Sequence, residues 1–129
     1  MVVIGVDLIE VVRIEQAVAR WGDRFLRRVY TPAEIEYCAS RANSLAARWA
    51  AKEAVSKALG TGWAPQTPHE AGWIDWAEIE VERRPSGEPG LRLHGKAQAR
   101  AELLGIRDWK LSLSHTREHA IAMVLGWRA

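Results

Sequence analysis

The chain opens on an apolar run, MVVIGVDL at residues 1–8, rich in Val and Ile. It predicts a short buried strand, with Gly5 allowing close backbone approach and Asp7 near the carboxyl end. From Glu10 the period changes: Val11, Ile14 and Val18 recur at helical spacing until Gly22, which gives a first helix, and residues 23–30 add another turn or two. TPAE at 31–34 is a helix start, with Thr31 as N-cap, Pro32 in the first helical position and Glu34 closing a capping box; this helix runs to about Arg41. Asn43 or Ser44 caps the next, SLAARWAAKEAVSKALG, which is rich in Ala and stops at Gly60. Residues 60–73 hold three Gly and two Pro and read as a long loop.

Beyond that loop the period is mostly two. WAEIEVE sets Ala77, Ile79 and Val81 on one side and Glu78, Glu80 and Glu82 on the other, a half-exposed strand. RRPSGEPG turns the chain, LRLH forms a partner strand, and GKAQARAELLG is a further amphipathic helix ending at Gly105. WKLSLSH and AIAMVLGW flank TREH as a hairpin. The fold class is α+β, with helices grouped in the first half and mainly antiparallel strands in the second. No internal repeat or shift of composition marks a boundary, so residues 1–129 are expected to form one domain.

Composition narrows the picture. At 48% hydrophobic and 26% charged, the chain is of ordinary globular make-up, and Cys38 is its only cysteine, so no internal disulfide forms. Asp7 and Glu10 interrupt the first apolar run too early for a secretory leader, and no apolar stretch reaches the length of a membrane span. A cytoplasmic location is expected. The net charge is only +2, but Arg13, Arg20, Arg24, Arg27 and Arg28 crowd sixteen residues that hold only Glu15 and Asp23 as acids. Such a segment is either a solvated face or a dock for an acidic protein.

The candidate chemistry centres on RWAAKEAVSK, residues 48–57. On a helix, Arg48, Lys52 and Ser56 share one face, while Glu53 and Lys57 lie four apart on the adjoining one. Glu53 and Lys57 make an ordinary helical ion pair in one reading. In the other, Glu53 holds Mg²⁺ while Arg48, Lys52 and Lys57 hold phosphoryl oxygens, with Asp7 as the second carboxylate. Asp7 has its own plainer reading, as a helix cap. Lys110, Ser112 and Ser114 share one face of a strand; with His115 they are either a polar outer surface or donors for phosphate or a base. HTREH has a two-His spacing that suggests zinc, but no cysteine ligand lies near it. The seven Trp are scattered, which favours core or interface over stacking on nucleotide bases.

Taken in order, GVDLIEVVR, RWAAKEAVSKALG and LSLSHTREHAIAMV resemble the three signature blocks of the bacterial holo-[acyl-carrier-protein] synthases, the short 4′-phosphopantetheinyl transferases. The likeness spans nearly the whole chain and includes the SGEP turn before LHGKA. It implies transfer of the phosphopantetheine arm of coenzyme A to a serine of apo acyl carrier protein, releasing adenosine 3′,5′-bisphosphate, in fatty acid biosynthesis. It further implies that Asp7 and Glu53 are the catalytic pair that binds Mg²⁺ or Mn²⁺. Arg48, Lys52, Lys57, Ser114 and His115 would contact coenzyme A. Arg13, Arg20, Arg24, Arg27 and Arg28 would meet the carrier protein's acidic helix, and the chain would form a homotrimer with sites at its interfaces. The serine proton would go to Glu53, to a metal-bound water or to another group. WAPQTPHEAGW is longer and richer in Trp and Pro than the family pattern. The rival expectation is a basic module that binds RNA, or a carrier protein, without catalysis; the enzyme reading expects neither nucleic acid nor membrane as a partner.

Overall fold

The computed structural model describes residues 1–60 and 74–128. The loop expected over 60–73 lies, apart from Gly60, outside the described residues. Strand β1 (Val2–Glu10) leads directly into α1 (Val11–Trp21), followed by α2 (Asp23–Val29), α3 (Pro32–Cys38) and α4 (Ala42–Ala58). After a 3-10 turn at Trp76–Glu78 come β2 (Ile79–Arg83), β3 (Pro89–Leu93), α5 (Gly95–Leu104), β4 (Asp108–His115) and β5 (His119–Trp127). The α+β expectation holds, but β1 is not the short buried strand expected: it is a nine-residue edge strand, exposed at Val2, Ile4, Val6 and Leu8, of an antiparallel sheet in the order β1-β5-β4, while β2 and β3 form a two-stranded hairpin.

Alternation sorts the two faces of the larger sheet. Ala120, Ala122 and Val124 of β5 are buried beneath α4, whereas Ile121, Met123 and Leu125 point the other way and are exposed. Helix α4 packs chiefly on β1 and β5. It comes so close that a Cβ on Gly5 would fall on the Ala54 carbonyl oxygen, which is why glycine occupies the middle of that strand. Eleven of the seventeen α4 residues are buried, so this is the central helix of the fold, walled on most sides.

Besides shifts of one or two residues at β1 and β3, three boundaries differ from the sequence reading for reasons visible in the structure. Helix α3 stops at Cys38, because Ala39 and Ser40 both take left-handed backbone (φ 47° and 65°). Arg41 then tidies the break, donating from its guanidinium to the carbonyls of Cys38 (2.9 Å) and Tyr37 (2.7 Å). Helix α4 begins at Ala42 without a side-chain cap, since the Asn43 amide is drawn to the Thr116 carbonyl at 2.9 Å. The residues Trp76 to Glu78 coil before β2, so the alternation there starts at Ile79, with Ile79 and Val81 buried. The capping box at Thr31 and Glu34 forms as expected.

Candidate functional site

Inward-facing positions of β1 alternate with exposed ones, and Asp7 falls on the inner face, in register with Ala122 and so beneath α4. Glu53 is half-buried on the side of α4 that meets this strand. Its carboxyl is raised above the usual range, first by burial and then by the nearby negative charge of Asp7; Lys57 and Arg13 pull the other way. Two carboxylates therefore converge, and they repel. Lys57 does not pair with Glu53 as an ordinary i, i+4 partner. Its ammonium donates to Asp7 at 2.9 Å and to the Val6 carbonyl at 3.3 Å, and the side chain is half-exposed. The plainer role for Asp7 is also excluded, because the residue preceding α1 is Glu10.

Helix α4 sends its other ionisable groups elsewhere. Lys52 is 0% exposed and donates to Glu34 (2.7 Å) and to the carbonyls of Trp76 (3.1 Å) and Ile79. The expected phosphate contact is thus corrected: the 48-52-56 face is buried against α3 and β2, and the Lys52 ammonium is consumed by protein acceptors. Glu34 answers it while accepting from the backbone of Thr31 (2.9 Å) and Val81 (3.0 Å). Burial pushes the Lys52 ammonium down, and Glu34 holds it up in part. Arg48 is 4% exposed, with its guanidinium 4.4 Å from the centre of the Tyr37 ring and Nη1 3.4 Å from the Ser44 carbonyl. It lines a recess of about 200 Å³ together with Tyr37, Ser44, Arg83, Leu113 and His115.

His115 lies at the rim of this recess, Nδ1 3.5 Å from the Asn43 amide. Ser114 is exposed and points away, to the sheet face opposite α4, so it does not join Arg48 within one chain. His115 and His119 end facing strands of the hairpin, and no cluster of three or more His, Cys, Asp or Glu suited to a metal exists among the described residues. The five arginines of the basic segment are all exposed, but Gly22 (φ 56°) divides them between two helices: Arg13 and Arg20 on α1, Arg24, Arg27 and Arg28 on α2. Trp21 is exposed among them, with the Arg20 guanidinium 4.9 Å from its ring, and borders a recess of about 290 Å³ with Arg24, Phe25 and Arg28. Trp49 instead stacks between Phe25 and Trp76, all three partly buried against the core.

Sequence reasoning missed Tyr37, Arg83 and Glu34. They come from α3 and β2, and nothing in their local spacing marks them; only the packing of those elements on α4 brings them to Arg48 and Lys52.

Residues 3–124 match the family model for the 4'-phosphopantetheinyl transferase superfamily. The holo-[acyl-carrier-protein] synthase of Herpetosiphon aurantiacus is 59% identical to this chain over 126 residues, covering 98% of each. That of Koribacter versatilis is 50% identical and covers 94% of each chain. Among solved structures, the Helicobacter pylori holo-[acyl-carrier-protein] synthase in complex with coenzyme A aligns with a TM-score of 0.81 at 31% identity, over 96% of this chain and 99% of that one. The chain belongs to the 4'-phosphopantetheinyl transferase superfamily.

Proposed function

We propose that this protein transfers the 4′-phosphopantetheine arm of coenzyme A to a serine hydroxyl of apo acyl carrier protein, in the cytoplasm, as a step that readies the carrier for fatty acid biosynthesis. The serine oxygen forms a bond to the β-phosphorus, the bond from that phosphorus to the bridging pyrophosphate oxygen breaks, and adenosine 3′,5′-bisphosphate leaves. The observation that carries this reading is the placing of Asp7 on the face of β1 that packs on α4, bonded to Lys57 one helical turn from Glu53, in a chain similar over 98% and 94% of its length to two holo-[acyl-carrier-protein] synthases.

Two repelling carboxylates, of which Glu53 is raised in proton affinity by burial and by Asp7, suit a divalent cation, and a set of only two suits Mg²⁺, which completes its shell with water and substrate phosphate. Asp7 and Glu53 would hold it, or Mn²⁺ in its place. When bound, the ion supplies charge neutralisation at the pyrophosphate. Lys57 keeps Asp7 oriented, and its half-exposed side chain leaves it within reach of a phosphate oxygen. The exposed arginines of α1 and α2 form the surface for an acidic carrier helix, steering encounter as well as docking.

We further assign a homotrimer. Val2, Ile4, Val6 and Leu8 of β1, with Ile121, Met123 and Leu125 of β5, make an apolar sheet face that a single chain leaves in water. Neighbouring copies would cover it and would bring Ser114, on the same outer face, to a site shared between subunits. Replacing Ile4, which is 63% exposed in the isolated chain, with aspartate is expected to convert a trimer to monomer in light scattering and to lower transfer with it. A wild-type chain that is monomeric at micromolar concentration removes this assignment.

The transfer itself is tested by intact-mass analysis of an apo acyl carrier protein after incubation with this protein, coenzyme A and Mg²⁺, beside the same reaction with EDTA. A gain of one phosphopantetheine arm, lost with EDTA, is the expected result. No gain with several different carriers overturns the reading and makes polynucleotide binding the next assay.

A further inference from the structure

A recess of about 680 Å³ opens between β3, the second half of α5 and the start of β4, at the opposite end of β4 from Leu113 and His115. Trp109 pairs with Gly126 and Asp7 with Ala122, so the two lie four residues apart along β5, roughly 13 Å at the rise of a strand. The transfer chemistry described above makes no use of this cleft, yet its size is that of a small-molecule site. Ile106 is buried in its lining, and Leu91, Leu93 and Trp109 form half-buried walls.

Trp109 is held as a fixed plate. A Cβ on Gly126 would come within 2.8 Å of its ring and 2.9 Å of Ile106, so glycine on β5 is what lets the indole lie against that strand. No other aromatic ring pairs with it among the described residues. An indole backed by a strand on one side and bordering a cleft on the other is a stacking surface for a flat ring.

The polar groups of the lining are all exposed, and they define what such a ring would carry. Arg92 is engaged by Glu82 at 3.2 Å. Arg107 has no ion pair and no side-chain hydrogen bond among the described residues, while its backbone N–H, bonded to the Trp127 carbonyl at 3.1 Å, fixes where the side chain starts. A free guanidinium fork matches phosphate oxygens. On α5, Gln98 donates its amide to Glu102 at 2.9 Å, which leaves the amide oxygen and the other carboxylate oxygen as acceptors. Adjacent acceptors suit an amino group. An acyl chain would use the apolar walls and leave Arg107 and both acceptors idle.

We propose that the cleft between β3, α5 and β4 is a binding site for a nucleoside monophosphate whose base carries an amino group, separate from the carboxylate pair. The base stacks on Trp109, its amino group donates to Gln98 and Glu102, and the phosphate pairs with Arg107. This assignment stands apart from the transferase reading, and neither depends on the other.

The test follows the indole N–H of Trp109 in proton–nitrogen correlation spectra of the full chain, its signal assigned by its loss in Trp109→Phe. Adenosine 5′-monophosphate is expected to move that signal with a Kd of about 1 mM or tighter. Adenosine, which lacks the phosphate, and inosine 5′-monophosphate, which lacks the amino group, should each bind about fivefold more weakly or worse. Arg107→Glu, at an exposed position that leaves the fold intact, should weaken adenosine 5′-monophosphate by about tenfold and transfer phosphopantetheine at the wild-type rate. A Trp109 signal unmoved at about 5 mM nucleotide, or unchanged binding by Arg107→Glu, overturns the site. Equal affinity for all three ligands overturns the roles given to the phosphate and the amino group. Transfer lost in folded Arg107→Glu would place the residue in the transfer machinery and overturn the separateness of the two sites.

Discussion

Replacing Lys52 with methionine is expected to cost about 3–5 kcal/mol of folding free energy, because it strands the Glu34 carboxylate in the interior. Both side chains are fully buried, their ion pair is 2.7 Å long, and Lys52 also anchors the carbonyls of Trp76 and Ile79. One residue thus ties α4 to α3, to the 3-10 turn and to β2. Against the total stability of a domain this size, roughly 5–15 kcal/mol, the loss is severe. It should lower the melting temperature by roughly 10–20 °C. The double variant Lys52→Met with Glu34→Gln should recover part of the loss: the stranded charge is gone, but Thr31 and Val81 donate to the two different carboxylate oxygens, and an amide has only one oxygen to offer them. Where Lys52→Met is still folded, its KM for coenzyme A should stay within about twofold of the wild type. A melting temperature within about 3 °C of the wild type would show that the pair is dispensable. A tenfold rise in KM in folded protein would return Lys52 to the phosphates.

That correction also shows what the sequence could and could not carry. Period-two and period-3.6 patterns located every strand and α-helix among the described residues, though they read the 3-10 turn at Trp76–Glu78 as strand, and the capping box at Thr31 fixed the start of α3. They missed the end of α3, because two non-glycine residues in left-handed conformation leave no residue-type signal. Asp7 and Glu53 were legible as carboxylates near basic groups. Their convergence was not, since it depends on β1 joining β5 as an edge strand and on Gly5 letting α4 descend onto it. Lys52 and Glu53 are adjacent in the chain and about 100° apart around the helix, so one enters the core and the other faces β1. The Ala-rich flanks of α4 were the available signal: a helix apolar on most sides is central, and a lysine within it needs a buried acceptor. The charge of α1 and α2 was read correctly as exposed. The grouping of Arg48 and Arg83 on Tyr37 has no counterpart in linear spacing.

The largest expected effect on activity comes from the carboxylate pair. Asp7→Ala and Glu53→Ala should each reduce transfer by about 10³-fold or more, since removing a ligand to a charge-neutralising ion forfeits several kcal/mol of transition-state stabilisation. Alanine also shortens the side chain, so Glu53→Gln is the sharper variant: it keeps the volume and removes the charge. In the folded protein burial and Asp7 raise the Glu53 carboxyl, which means its ionised form costs folding free energy when no cation is present. Glu53→Gln should therefore melt no lower than the wild type without metal, and higher if the repulsion outweighs the help from Lys57 and Arg13. Mg²⁺ should raise the melting temperature of the wild type, because a ligand of the native state stabilises it by mass action, and should leave the glutamine variant unmoved. These two readouts separate a metal ligand from a residue that merely supports the fold. A structural Glu53 would lose stability on becoming glutamine and would keep its response to Mg²⁺; a ligand does the reverse. Transfer by Glu53→Gln within tenfold of the wild type, or an unchanged Mg²⁺ response, would sink the assignment of this carboxylate, and with it the observation on which the transferase reading rests.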